Sequence, residues 1–407
     1  MKMTLTAIKE RRRLAITILW LIIILAGLVI IPRWRAAERS SIDVKIIGPE
    51  EVVFDWSKDA CESNDFPDVP AMAFRDVSGR VQLIASHYIS RRMIGPDLNH
   101  LTHDCAVLMR SDYDPDPARF ADREWIHSVY TLDGMTVFAL ILNEYQGHTH
   151  YGQCPSGMYR KCLYSSITLA ISHNGGDSYT HAQPPAHLVA NLAYTYVPDS
   201  GPLGVFNPSN IVHNNADGYY YTLLHLEQYR AQPWGTCVMR SANLADPTSW
   251  RAWDGTGFNV WFINPYLEPT TSLQRHLCQP VSRNEIQKMS ESLTFNIYFN
   301  RFLLVGTAGT RDPTTGRVVW GIYYSLSDDL IHWTPRRLIM ETETLWTYQC
   351  GDSNPIHYPA ILDPNSSSRN FETTGKQVYL YFTRFNYASC KMTSDRDLIR
   401  IPIEFSR

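Results

Sequence analysis

One hairpin plan recurs five times along the sequence, and this repetition constrains the fold more than any other feature. Each unit is an apolar strand, a tight turn rich in Gly, Asn or Asp, and a second apolar strand. The five hairpins are 71–86, 126–142, 210–224, 292–306 and 360–383, the last around a long insertion at 363–375. The chain is therefore predicted to form successive small antiparallel sheets.

Three of the hairpins are followed by a third strand that ends in a Ser-to-aromatic turn. The third strands are 167–171 before SHNGGDSY, 237–240 before SANLADPTSW, and 321–324 before SLSDDLIHW. Short polar side chains in such turns bond the turn's own backbone while the ring packs between sheets, so we interpret these turns as structural. No helical periodicity of useful length follows the N-terminal region. These units are typical of blades, and we predict an all-β fold, a five-bladed β-propeller over residues 41–407.

The two ends of this region are expected to meet. Residues 41–54 alternate well enough for a strand, and 398–405 form a last strand with no partner after it. A ring of blades closes well if the N-terminal strand completes the last blade, since no sheet edge then stays free. We predict that closure.

The N-terminus predicts a single transmembrane helix. The basic segment KERRR precedes an apolar run at 14–31, closed by Pro32. A run of roughly 18 residues is long enough to span a bilayer and exceeds the core of about 7 to 15 residues in a cleaved signal. We favour an uncleaved anchor; a long cleaved signal is the alternative. The expected organisation is a cytoplasmic basic tail (1–13), a transmembrane signal anchor (14–32), a spacer (33–40) and the propeller domain (41–407), in the periplasm or outside the cell.

The eight cysteines all follow the apolar run, and an even count in an exported domain indicates disulfides. We expect sequential pairing, which staples the loops beside the hairpins. The expected pairs are Cys61 with Cys105, Cys154 with Cys162, Cys237 with Cys278, and Cys350 with Cys390. Zinc is the rival interpretation, but the CxxC pairs that it usually needs are absent. No cofactor is predicted, and a structural metal ion such as calcium stays open.

Candidate functional residues follow from blade geometry. The starts of first strands and the ends of second strands share one face around the central channel of a propeller. These positions carry carboxylates, amides, imidazoles and rings, which suit a sugar, since two carboxyl groups can divide acid and base roles across a glycosidic bond. The candidate catalytic residues are Asp68, Glu144 and Glu291. The candidate substrate-binding residues are Glu124, His87, Tyr145, Asn210, His225, Glu227, His357 and Arg384.

The hairpin units with S-x-D-L-x-x-W turns resemble the five-bladed propeller glycosidases of the arabinanase, xylosidase and invertase clan. The turn SHNGGDSY is also similar to the Asp-box of sialidases. In architecture the resemblance covers nearly all of residues 41–407. It implies that Asp68, or Asp65, is the base or nucleophile and that Glu291, in SESLTF, is the general acid.

The sequence departs from that clan in the third blade. The resemblance implies an Asp there that tunes a pKa, whereas the segment FNPSNI offers Asn207 and Asn210. The tuning role would then pass to another carboxylate, namely Glu144, Glu124 or Glu227. A likeness in architecture does not establish activity.

Three functions are weighed. The first is a membrane-anchored extracytoplasmic glycoside hydrolase acting on an oligo- or polysaccharide. The second is a sialidase-like hydrolase of acidic sugars, with Tyr145 beside Glu144 as nucleophile and Arg75, Arg91, Arg92 and Arg384 as candidates to hold a carboxylate. The third is a non-catalytic glycan-binding or envelope-assembly propeller. The expected partners are a carbohydrate substrate and, through the N-terminal helix, the membrane. A net charge of -3 gives no electrostatic footprint for nucleic acid.

Overall fold

A computed structural model of the chain describes residues 42–268, 272–350 and 354–407. The predicted basic tail, transmembrane anchor and spacer, 1–40, lie outside the described residues. Within the described ranges, no helix is both long enough and apolar enough to cross a membrane. The chain divides into a large unit, Ile46–Glu404, and a small unit whose described residues are 42–45 and Phe405–Arg407. All the site residues discussed below belong to the large unit.

The described chain is all-β, as predicted, with only short helical segments. The α-helices in it are α1 (Trp56–Asp59) and α2 (Arg283–Ile286). The 3₁₀ turns are Pro117–Arg119, Gly147–Thr149, Tyr159–Cys162, Pro247–Ser249 and Leu273–His276. Two N-terminal strands, β1 (Asp43–Ile46) and β2 (Glu51–Phe54), precede the first predicted hairpin.

The other strands fall into five groups in chain order, each built around one predicted hairpin. The first group is β3 (Met72–Arg75), β4 (Val81–Ile84), β5 (Ile89–Gly95) and β6 (Thr102–Arg110). The second is β7 (Arg123–Thr131), β8 (Val137–Gln146), β9 (Leu163–Ser172), β10 (Thr180–His181) and β11 (Leu188–Ala190). The third is β12 (Leu203–Phe206), β13 (Val212–Asn214), β14 (Tyr219–Leu226), β15 (Gly235–Ser241) and β16 (Arg251–Ala252).

The fourth group is β17 (Ser292–Asn296), β18 (Arg301–Arg311), β19 (Val318–Ser327) and β20 (Arg337–Glu341). The fifth is β21 (Ile356–Leu362), β22 (Thr373–Thr374), β23 (Gln377–Phe385) and β24 (Arg396–Ser406). Within the groups the pairing is antiparallel. Two parallel contacts link different groups: β12 pairs with β9, and β22, in the insertion of the fifth group, pairs with β17.

The groups follow one another around a closed path. Strand β3 contacts β7, β13 contacts β17, β17 contacts β21, and β21 contacts β3 again, while β9 and β12 connect the second and third groups. Buried apolar side chains fill the spaces between neighbouring groups: one cluster spans the first three, another joins the third to the fourth, and another joins the fifth to the first. This arrangement is consistent with a β-propeller.

The predicted closure by an N-terminal strand is confirmed. Strand β2 pairs antiparallel with β24, with Glu51 opposite Arg400 and Val52 opposite Ile399. The predicted single strand at 41–54 is wrong in detail, because β1 and β2 are separated at Gly48-Pro49. Proline has no backbone N–H to offer a sheet and is disfavoured inside a strand.

The predicted sequential disulfide pairing is also confirmed. The bonds are Cys61–Cys105, Cys154–Cys162, Cys237–Cys278 and Cys350–Cys390. The Cys154–Cys162 bond closes a loop directly before β9, and this loop contributes to the site described next.

The Ser-to-aromatic turns have the structural role expected of them. In SHNGGDSY the backbone N–H of Gly176 donates to Ser172 Oγ at 2.9 Å, and the following Tyr179 ring is buried. In SLSDDLIHW the N–H of Leu330 donates to Ser327 Oγ at 2.9 Å. Each turn thus satisfies its own backbone while its aromatic residue joins the core.

Candidate active site

Asp68 lies in the loop before β3 and is held by residues from three groups. Trp125 Nε1, in β7, donates to Asp68 Oδ2 at 3.2 Å, and the guanidinium of Arg396, at the start of β24, binds Oδ1. His87 Nε2 lies 3.6 Å from Oδ2. The backbone N–H of Asp68 donates to the carbonyl of Ala85 at 2.8 Å, which fixes the loop. One carboxylate is therefore the meeting point of the first, second and fifth groups.

Strand β21 directs two more side chains toward Asp68. Its register with β23 shifts between His357 and Ala360, and Tyr358 has a left-handed φ of 57°. Such a bulge re-aims side chains, and a bulky residue at positive φ stores strain that is characteristic of functional sites. Tyr358 is hydrogen-bonded to Asp68, and the negative charge of Asp68 acts to raise the pKa of His357.

Glu144 supplies the second carboxylate, near the end of β8. Tyr159 Oη donates to Glu144 Oε2 at 3.0 Å, and Gln146 Nε2 donates to the same oxygen at 3.1 Å. Burial, with a smaller contribution from the negative charge of Asp68, raises the pKa of Glu144 to about 7 despite these two hydrogen bonds. Glu144 can therefore carry a proton near neutral pH, as a general acid must.

The imidazoles near Asp68 are neutral at ordinary pH. Burial lowers the pKa of His87 to about 4, and burial also lowers the pKa of His357 to about 4. The Nδ1 atom of each ring is buried without a hydrogen-bond partner in the protein. Buried polar atoms are normally hydrogen-bonded, so these two nitrogens are exceptions in the interior beside Asp68.

His225 and Glu227 lie at the end of β14. The His225 ring stacks on Phe206 with 5.0 Å between ring centroids, and its Nε2 lies 3.3 Å from Glu227 Oε1. Lys288 Nζ lies 2.6 Å from both carboxylate oxygens of Glu227. Although burial raises the pKa of Glu227, the hydrogen bonds and charges of His225 and Lys288 lower it to about 2. Glu227 is thus a paired anion, and a charge on His225 lowers the pKa of His357, so the two imidazoles lie near each other.

We call this assembly the Asp68 cluster. Its members are Asp68, His87, Trp125, Glu144, Tyr159, His225, His357, Tyr358 and Arg396. Of the residues predicted from sequence, the structure brings together Asp68, Glu144, His87, His225 and His357, with Glu227 bound to His225. Arg396 and Tyr159 were not predicted. Tyr159 lies in the loop closed by Cys154 and Cys162, so the disulfide pattern was the signal that could have found it.

Two predicted binding residues point elsewhere. Tyr145 is buried, and its hydroxyl donates to the carbonyl of Pro115 at 2.9 Å. Successive residues of a strand face opposite sides, so Tyr145 turns away where Glu144 turns toward the cluster. Arg384 lies 2.5 Å from the carboxylate of Glu50 instead of contacting the cluster.

Asn210 connects the third and fourth groups. Its Nδ2 donates to the carbonyl of Leu293, in β17, and the N–H of Leu293 donates to Asn210 Oδ1 at 2.7 Å. An amide can donate and accept in this way, whereas an ionised carboxylate can only accept. The contact gives a physical reason for Asn where the clan resemblance implied Asp.

Glu291 is held by backbone amides at the start of the fourth group. Ser290 N donates to Glu291 Oε2 at 2.8 Å, and Thr307 N donates to Oε1 at 2.8 Å. Burial raises the pKa of Glu291, although these amides favour its ionised form. Both oxygens are occupied within its own sheet, and its role as the acid stays a prediction.

Glu124 lies on the opposite face of β7 from Arg123 and Trp125, in accordance with strand alternation. It is completely buried, and its Oε1 lies 3.9 Å from His181 Nε2. Burial raises the pKa of Glu124. It belongs to a second cluster, separate from Asp68.

A cleft adjoins the Asp68 cluster. The cavity has a volume of about 830 Å³ and is lined by the aromatic residues Trp320, Trp346 and Tyr348, among other side chains. The Trp346 ring lies 6.1 Å from the His357 ring, centroid to centroid, and the Arg160 guanidinium lies 5.2 Å from the Trp346 centroid. Trp346 is therefore shared by the cleft and the cluster.

No protein-family model and no curated protein matches this sequence. Solved structures similar to it include an alpha-L-arabinanase of Cellvibrio cellulosa, 10% identical over 82% of this chain and 91% of that chain, with a TM-score of 0.43. An endo-arabinase of Bacteroides thetaiotaomicron is 10% identical over 86% of this chain and 97% of that one, with a TM-score of 0.43. A beta-fructofuranosidase of Bombyx mori is 10% identical over 83% of this chain and 62% of that one, with a TM-score of 0.45.

With TM-scores below 0.5, these likenesses carry no substrate and no residue role over to this chain.

Proposed function

We propose that this chain is a five-bladed β-propeller glycoside hydrolase that acts on an oligo- or polysaccharide outside the cytoplasm, anchored by its N-terminal segment. The observation that best supports this proposal is the presence of two carboxyl groups in unlike environments. Asp68 is bound by Arg396, whereas burial raises the pKa of Glu144 to about 7. A glycosidase needs one carboxyl group that holds a proton as general acid and a second one that acts as base or nucleophile. Four disulfides support an oxidising compartment.

In the proposed reaction, Glu144 donates its proton to the glycosidic oxygen as the bond to the leaving sugar breaks. Asp68 either attacks the anomeric carbon or takes a proton from the water that does. Tyr159, through its hydrogen bond to Oε2, orients Glu144. A carboxyl separation of about 5 to 5.5 Å corresponds to retention and about 6.5 to 9.5 Å to inversion, so the anomeric configuration of the first product distinguishes the two routes.

The surroundings supply groups for sugar recognition. The exposed ring of Trp346 can stack on a sugar face. The cleft beside Trp346 offers room for further sugar units.

The test is hydrolysis of a panel of plant and bacterial glycans by the purified full chain. Glu144→Gln and Asp68→Asn should each lower the rate by about 10² to 10⁴-fold or more, because each removes an acid–base or nucleophilic group while keeping its size. Asp328→Asn is the matched control, since Asp328 is exposed and pairs only with Arg301. A chain that cleaves no glycan, or a Glu144→Gln variant as fast as the parent, would contradict the proposal.

A non-catalytic glycan-binding function is the second candidate, and the exposed Trp320 and Trp346 in the cleft favour it. It would be supported by glycan binding that Trp346→Ala abolishes and that Asp68→Asn and Glu144→Gln leave unchanged, with no cleavage by any of these proteins. The sialidase-like alternative needs Tyr145 at the sugar, whereas that hydroxyl is bonded to Pro115.

A further inference from the structure

A second cluster of titratable groups lies across β7 from Asp68. His181 Nε2 is 3.3 Å from Asp112 Oδ2 and 3.9 Å from Glu124 Oε1, and the ligand atoms of the three residues lie within 4.8 Å of one another. Asp112 follows β6, Glu124 is in β7 and His181 is in β10. Three separate segments therefore converge here.

The carboxylate of Glu124 lacks a partner for one oxygen. Its side chain is 0% exposed, its Oε2 accepts only the N–H of Asp112 at 3.3 Å, and its Oε1 has no hydrogen bond. An unpartnered carboxylate oxygen in the protein interior is costly and normally binds a cation or a donor. Oε1 is the atom that faces His181.

The orientation of His181 is also that of a metal ligand. Its Nδ1 lies 2.9 Å from the carbonyl of Ala182, which can only accept, so Nδ1 carries a proton. In the neutral ring the lone pair is then on Nε2, directed at the carboxylates of Asp112 and Glu124. Metal-binding histidines are commonly fixed in this way, with the other ring nitrogen donating to a backbone carbonyl.

We propose that Asp112, Glu124 and His181 bind a divalent transition-metal ion such as Zn²⁺, with water completing the coordination. A tetrahedral ion at about 2.1 Å from each ligand places neighbouring ligand atoms about 3.4 Å apart, close to the distances from His181. One imidazole nitrogen and two carboxylates suit Zn²⁺ better than Ca²⁺, which takes about six to eight oxygen ligands.

This set differs from the other candidate ligand groups in the described ranges. Those groups contain Cys61, Cys154 and Cys162, which are in disulfides and offer no thiolate. The proposed ion would tie the connector after β6 to β7 and β10, and so stabilise the contact between the first and second groups. The proposed ion would stabilise the fold, and this inference is independent of the proposed hydrolase activity.

Zinc binding by the full chain tests the site. After EDTA treatment and dialysis, calorimetric titration with ZnCl₂ should show one saturable site, and Zn²⁺ should raise the melting temperature. His181→Gln and Asp112→Asn should each weaken the affinity by at least about tenfold and reduce the thermal shift. His100→Gln is the matched control, because His100 and Asp97 form an exposed pair at 2.8 Å without a third ligand.

Co²⁺ gives a second readout, since its visible absorption reports nitrogen and oxygen ligands and should change in His181→Gln. Asp112 is exposed, so Asp112→Asn leaves the core intact and keeps the test valid if His181→Gln unfolds. Absence of saturable binding, or equal binding by Asp112→Asn and the parent, would overturn the proposal and leave an ion pair of protonated His181 as the account of the cluster.

Discussion

Replacing Glu144 by Gln isolates the energetic effect of burying this carboxylate. Its pKa is raised from an ordinary value of 4.5 to about 7, chiefly by burial. Between these pH values the folded chain holds a proton that the unfolded chain has released. The contribution of Glu144 to the free energy of unfolding is therefore fully present below pH 4.5 and decreases as the pH rises toward 7. Above pH 7 this contribution no longer changes with pH.

The size of the effect follows from the same values. Each pKa unit is worth about 1.4 kcal/mol, which gives roughly 3 kcal/mol, and partial solvent access reduces the expected value to about 2 kcal/mol. The neutral amide that replaces the carboxyl group in Glu144→Gln does not titrate and has no such contribution. The difference in the free energy of unfolding between Glu144→Gln and the parent should therefore be more favourable to the variant at alkaline pH than at acid pH, by about 2 kcal/mol.

Urea unfolding of both proteins at about pH 5 and about pH 8 measures this double difference, since titrating groups that do not interact with Glu144 contribute equally to both proteins. Gln keeps an oxygen that can accept from Tyr159, so the local geometry is retained. The same pH dependence in both proteins would refute the raised pKa, and with it the choice of Glu144 as the acid.

Three further changes test the structural assignments. Asn210→Asp should lower the free energy of unfolding by about 1 to 3 kcal/mol, because the carbonyl of Leu293 loses its donor; an unchanged urea midpoint would contradict this. Joint replacement of Cys237 and Cys278 by Ala should cost about 2 to 5 kcal/mol by the same assay, whereas no loss would show that the buried bond is dispensable. Glu291→Gln should lower the melting temperature, since an amide nitrogen would face a backbone N–H, and the folded fraction should still hydrolyse glycans. Lost hydrolysis at an unchanged melting temperature would return the acid role to Glu291.

Local chemistry explains why the hairpins could be predicted. Alternating apolar residues and turn residues such as Asp133-Gly134 determine a hairpin within about 20 residues, and the disulfide pairs staple loops beside those hairpins. The Gly48-Pro49 break was missed because residues 41–54 alternate on both sides of it. Local patterning also explains why the all-β fold class could be predicted from the hairpins alone.

The site was only partly predictable because it depends on contacts between distant segments. Strand ends gave Asp68, Glu144 and the histidines, but Glu144 and Tyr145 are adjacent, and only the observed register shows which one faces the cluster. Arg396 reaches Asp68 across 328 residues of sequence, for which no local pattern exists. The role of Asn210 needs the neighbouring strand β17 to be seen.

The pairing of β2 with β24 joins an early strand of the chain to a late one, which determines when this part of the sheet can form during synthesis. Arg400 and Glu51, joined by a hydrogen bond of 2.7 Å, are 349 residues apart, so this contact forms only after Arg400 has been synthesised. Before that point β2 is unpaired. The fifth group then has an exposed strand edge that can pair with another chain. A chain that ends before β24 would leave β2 and β23 each without this neighbouring strand.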